Sequence, residues 1–221
     1  MRSRLIIAID GPAGAGKSTV ARRLARRLGY AFLDTGALYR AVTFAALQAG
    51  LDPADEEQVA ALARAADLRL ESGPDGLRVL FEGVDISTEI RGPDVTTAVS
   101  TVAALPGVRA AMVPIQRDFA KDGGVVAEGR DIGTVVFQDA DVKFYLDADP
   151  AIRASRRARE RGEGDVARVQ SEMAARDRDD QERTVSPLRA ADDAIRIDST
   201  DLSLDDVVDR LLETVEGRGA P

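Results

Sequence analysis

Residues 11 to 18 read Gly-Pro-Ala-Gly-Ala-Gly-Lys-Ser, two glycines bracketing four residues and followed by a lysine and a hydroxyl. That spacing suits one chemistry above others. Glycines let successive backbone amides curl around a polyphosphate, a lysine adds a positive charge, and a serine hydroxyl can ligate Mg²⁺. The residues expected to touch ATP are Gly11, Pro12, Ala13, Gly14, Ala15, Gly16, Lys17, Ser18 and Thr19, with Ser18 the metal ligand. An ordinary glycine-rich turn capping a helix is the plainer alternative. The context weighs against it, because residues 5–10 (LIIAID) form an apolar, β-branched run and residues 18–28 repeat apolar residues at helical spacing. The loop therefore sits between a buried strand and a helix N-terminus, where the helix dipole favours phosphate.

Three further clusters could work beside this loop. Asp34-Thr35-Gly36-Ala37-Leu38-Tyr39-Arg40 begins where a second strand should end. Thr35 could donate to an acceptor phosphate, Arg40 could pair with it bidentately, and Asp34 could hold a water of the magnesium shell. A capped helix start with a solvated arginine explains the same residues. Glu128-Gly129-Arg130-Asp131-Ile132-Gly133 follows another apolar run and places arginine beside aspartate between glycines; a structural ion pair is the alternative there. Residues 176–183 (RDRDDQER) put Arg176, Asp180 and Arg183 on one helical face, an arrangement that a solvated ion-pair helix also produces. Arg153, Arg156 and Arg157 lie on a basic helix before Gly162-Glu163-Gly164, as lid arginines over ATP or as a solvated face.

The elements that must position these residues alternate. Residues 5–10, 30–34, 125–127, 142–146 and 194–197 read as strands, with helical stretches between most of them. The expected fold class is α/β, a parallel sheet flanked by helices with ligands at the carboxyl edge of the strands. Residues 68–86 break the alternation: two strands around Gly73-Pro74-Asp75-Gly76 suggest an inserted subdomain with a small antiparallel sheet. Helices are expected over residues 56–66, 95–102 and 108–120, with Pro106-Gly107 as a break, and residues 217–221 are expected to fray.

Composition narrows the chemistry. Thirty basic against thirty-eight acidic residues give a net charge of −8, which disfavours nucleic acid and anionic membranes as partners. No cysteine or histidine is present, so thiol catalysis and the commonest general base are both excluded. Phosphoryl transfer needs neither. The phosphate loop is shared by switch GTPases, transporter ATPases and small-molecule kinases. The chain has no Asn-Lys-x-Asp to read guanine and no Leu-Ser-Gly-Gly signature, which leaves a small-molecule kinase. Acceptors such as adenylate, shikimate or dephospho-coenzyme A stay open on these residues alone, as does a nucleotide sensor without turnover.

The ordered set GPAGAGKST, LDTGALYR, EGRDIGTVVF, RDRDDQER followed by TVSPL, and IDST resembles bacterial cytidylate kinase, of the nucleoside monophosphate kinase family, from residue 5 to about residue 208. The resemblance implies a P-loop core over residues 1–38, 111–152 and 170–216, a monophosphate-binding insertion over about 39–110 and a short lid over about 153–169. It implies transfer of the γ-phosphoryl group of ATP, with Mg²⁺, to CMP and dCMP. It also implies that Ser100, Arg109 and Asp131 read cytosine, and that Asp180 and Arg176 hold the ribose. Thr35, Arg40, Arg130 and Arg183 would bind the acceptor phosphate. Lys17, Arg130, Arg183 and the lid residues Arg153 and Arg157 would stabilise the transferring group. A cytoplasmic monomer is the expected setting.

Overall fold

The computed structural model describes residues 4–73 and 76–219. Pro74 and Asp75, at the tip of the expected turn, and Ala220 and Pro221, within the expected frayed end, lie outside the described residues. The chain divides into two compact units, the first formed by the flanking segments 4–31 and 122–219, the second by residues 32–121.

In the unit formed by the flanking segments, β1 (Ile6–Asp10), β6 (Val125–Gly129), β7 (Val142–Asp147) and β8 (Ile195–Asp198) pair in parallel. Their order is β6-β1-β7-β8, and β2 (Ala31–Asp34) begins at the boundary between the units. β1 is buried at all five positions, which is why it reads as an unbroken apolar run rather than an alternation. Helix α1 (Lys17–Leu28) turns Val20, Ala21, Leu24 and Ala25 inward and packs on α8 (Leu204–Glu216). The outer faces of these two helices are zipped at matching four-residue steps, Arg27 to Asp209 at 3.2 Å and Arg23 to Asp205 one turn earlier. Both pairs are solvated, so each contributes at most about 1 kcal/mol. Helices α6 (Pro150–Arg161) and α7 (Val166–Glu182) form a hairpin closed by Ala154, Ala158, Val169 and Met173.

The unit over residues 32–121 holds α2 (Thr35–Gln48), α3 (Glu56–Ala65), α4 (Pro93–Ala104) and α5 (Pro106–Phe119) around an aliphatic core including Leu38, Val42, Val59, Ile90, Val102 and Met112. Its small antiparallel sheet has three strands, β3 (Leu68–Gly73), β4 (Gly76–Phe81) and β5 (Val84–Asp85), where two were expected. Pro106 is the first residue of α5 rather than a loop residue; at that position its missing N–H costs nothing. Among the described residues no single helix is long and apolar enough to cross a membrane. Helices α4 and α5 would pass only together, and they meet at 96° with their apolar faces in this core.

Candidate active site

The loop after β1 is shaped by two glycines in particular. A Cβ on Gly11 would collide with the Leu146 carbonyl oxygen at the end of β7, so only glycine lets the chain turn so close to the sheet. Gly16 has φ 89° and caps α1 without any side-chain hydrogen bond, which leaves the first amides of α1 for an anion. Lys17 is buried, and its Nζ donates to the Pro12 carbonyl at 2.7 Å, folding the ammonium back over the loop. Burial, followed by the nearby Arg130 guanidinium, pushes the Lys17 ammonium down to about 7, and the Glu128 and Asp10 carboxylates resist. A polyanion in the loop would restore the charge.

Ser18 Oγ donates to Glu128 Oε1 at 2.6 Å. Hydroxyl and carboxylate oxygens held together at the loop are the hard donors that Mg²⁺ prefers, so the residues present fit that ion. Sequence reasoning assigns Glu128 no role of its own. The signal that could have found it is its place near the end of β6, the strand paired directly with β1. The tip of the loop is clasped as well: the Ala13 N–H donates to Asp177 Oδ1 at 3.1 Å, and Arg153 donates to the Ala13 carbonyl at 3.0 Å. Arg153 also donates to the Ala148 carbonyl at 3.0 Å and pairs with Asp177. Arg153, read as a lid arginine over ATP or as part of a solvated face, is not solvated: it is buried and braces the loop. Arg157 is paired with Glu160 at 3.0 Å, and Arg156 bonds Ser199.

The turn that follows β6 meets the end of α7. Arg130 Nε donates to Asp180 Oδ2 at 2.8 Å; Arg183 lies 3.7 Å from Asp180 and 3.8 Å from Asp131. Burial works to lower the Arg130 guanidinium, and the Asp180 carboxylate overcomes it, holding the group above its ordinary value. Four residues predicted from two separate motifs therefore form one alternating chain of charge. The helical face read from residues 176–183 needs one amendment: α7 ends at Glu182, and Arg183 caps it with extended backbone, its Nε turned onto the Ser186 carbonyl. Arg176 is half-buried on the same side of α7 as Asp177 and Asp180.

The unit over residues 32–121 carries the remaining candidates. Asp34 caps α2 by accepting from the Ala37 N–H at 3.2 Å and lies 3.6 Å from Arg91. Thr35 is the buried first residue of α2. Arg40 donates to Thr96 Oγ1 at 3.0 Å and to the Ile90 carbonyl at 3.4 Å, and Ser100 stands one turn beyond Thr96 on α4. Arg109 is buried on α5, donates to the Ala103 carbonyl at 3.1 Å and lies over the Tyr39 ring at 5.3 Å. Tyr39 and Arg40 being neighbours, α2 brings Arg40 and Arg109 into one region of this unit.

A cytidylate kinase family profile matches residues 7–217. The chain belongs to the cytidylate kinase family. It is 50% identical to a cytidylate kinase of Geobacillus kaustophilus (strain HTA426) over 99% of both chains. It is also 50% identical to one from Exiguobacterium sibiricum, over 97% of this chain and 98% of that one. Among solved structures, a shikimate kinase from Acinetobacter baumannii matches with a TM-score of 0.51 and 15% identity, covering 100% of this chain and 97% of that one. At that identity the likeness speaks to the fold alone, a P-loop kinase architecture.

Proposed function

We propose that the protein transfers the γ-phosphoryl group of ATP to CMP, and to dCMP, giving ADP and the corresponding diphosphate. The reading rests above all on the charge chain Arg130, Asp180, Arg183 and Asp131 lying in the same unit as the phosphate loop, two guanidiniums with their counter-carboxylates already in place. In the first unit Arg130 and Arg183 hold the acceptor phosphate, Asp180 with Arg176 takes the ribose, and Asp131 accepts from the exocyclic amine of cytosine. In the second unit Thr35 and Arg40 serve the phosphate, and Ser100 and Arg109 serve the base. Uracil would oppose its O4 to the Asp131 carboxylate, leaving facing acceptors, a mismatch of about 1–3 kcal/mol per unsatisfied group.

The loop amides and Lys17 bind the donor polyphosphate and orient its γ-phosphorus towards the acceptor. Mg²⁺, held by Ser18 with Glu128 behind it, supplies charge neutralisation on the phosphate oxygens when bound. Asp34 is the other candidate for the metal's water shell. The acceptor phosphate is already ionised, so no side chain needs to take a proton from it, and a chain without histidine can run the reaction by positioning and electrostatics. Arg157, in the lid over about residues 153–169, approaches the transferring group on closure, and Arg153 acts by bracing the loop. We take the protein as a monomer, and the absence of cysteine suits a reducing cytoplasm.

A coupled assay for ADP with CMP, dCMP, UMP and AMP as acceptors tests the reading. ADP release should depend on the acceptor, with kcat/KM for CMP at least about tenfold above that for UMP. Comparable values for the two pyrimidines, or ADP release that ignores the acceptor, would refute it.

A further inference from the structure

Asp10 closes β1 immediately ahead of Gly11, in register with Gly129 on β6. It is 3% exposed. Its Oδ1 accepts the Ile132 N–H at 2.7 Å and its Oδ2 accepts the Gly133 N–H at 2.8 Å, so a single carboxylate grips two consecutive amides from across the sheet edge. The gripped residues directly follow Arg130 and Asp131. At Gly133 the fit is close: a Cβ there would sit 3.4 Å from Asp10 Oδ2 and 3.0 Å from Lys143 Cδ. The carboxyl is also an expensive choice for a mere turn cap, since burial raises it to about 6 against the two amides that favour its charge. A buried charge kept at such cost marks a geometry that something else requires.

We propose that Asp10 is a positioning residue for the acceptor side of the site: its carboxylate fixes the turn over residues 129–133, so that Arg130 and Asp131 stand in one geometry beside the strand that launches the phosphate loop. The inference rests on the acceptor roles proposed above for Arg130 and Asp131. Asp10 itself is buried behind the turn and need touch no substrate. The two hydrogen bonds of the grip fall on the turn, whereas Lys17 of the donor loop meets Asp10 only as the weaker of two carboxylates acting on its charge. Loosening the grip should therefore be felt far more strongly by the acceptor than by ATP.

Asp10→Asn keeps the volume and one acceptor but turns an amide NH₂ towards an N–H. Steady-state kinetics with each substrate varied should show KM for CMP raised about 10- to 100-fold, the scale of a lost hydrogen bond to a charged group, with a much smaller rise in KM for ATP and the CMP-over-UMP preference reduced. An equal rise in both KM values, or no change in either, would overturn the proposal. Arg130→Ala is measured alongside: if it leaves KM for CMP unmoved, the acceptor reading has failed and the clamp falls with it. A rise in Arg130→Ala with none in Asp10→Asn sinks the clamp alone. Should Asp10→Asn not fold, Asp10→Glu keeps the charge but moves it one methylene relative to the two amides. The same selective rise in KM for CMP is then expected, and an unchanged value overturns the proposal.

Discussion

At the scale of single residues, the site is a set of charges held where water would not choose to put them. Lys17 and Asp10 are both buried, the first pushed down to about 7 and the second up to about 6, chiefly by burial in each case. For Asp10 the consequence for stability has a definite sign. Its folded value lies above the ordinary 3.8, so the carboxyl contributes stability at low pH that is lost as the pH rises through about 6. The stability of the wild type relative to Asp10→Asn should accordingly fall by about 1 kcal/mol between pH 5 and pH 7, read from denaturant titrations. A difference that stays flat over that interval would contradict burial as the cause. The residues legible in the sequence are those whose chemistry is packed into a short motif, such as Lys17, Ser18 and Arg130. Those that escape it act across long separations: Glu128 meets Ser18 from 110 residues away, Asp177 meets Ala13 from 164, and Asp10 reaches Ile132 across 122. Spacing along the chain carries no trace of such partners.

Among the elements, α7 does most to join the parts of the first unit. Its Asp177 receives Ala13 and pairs with Arg153 from α6, while one turn later Asp180 receives Arg130. One helix thereby holds the donor loop and the acceptor turn from successive turns. Asp177→Asn keeps an acceptor for Ala13 but removes the charge facing Arg153, an interaction of about 1.5–3 kcal/mol. The equilibrium affinity for ATP should fall about tenfold or more while that for CMP holds, by calorimetry with each ligand alone. Equal losses would show that α7 does not serve the donor loop in particular. Helical pitch is enough to place Arg176 and Asp180 on one side of α7, but pitch cannot show that the helix stops at Glu182 and hands Arg183 to extended backbone. The third strand of the small sheet escapes notice for a different reason. β5 is two residues long, too short for an alternation to appear.

Across the whole chain, composition and topology agree on the chemistry. A protein of net charge −8 with neither histidine nor cysteine has little use for acid–base or thiol catalysis. It gathers guanidiniums, one ammonium and backbone amides at the carboxyl edge of a parallel sheet, the means of positioning phosphates. The alternation of apolar runs and amphipathic stretches makes that sheet legible from sequence, because strands buried on both faces leave an unmistakable apolar signature, as in β1 and β6. The central claim is direct transfer between two bound phosphates with no covalent stop on the protein. The fate of the γ-phosphoryl group in a single turnover, followed by rapid quench with γ-labelled ATP and CMP, tests it most directly. All of the label should pass to CDP with none on the protein and none released as inorganic phosphate. Label trapped on a side chain, or lost to water at the rate of ADP formation, would contradict the account.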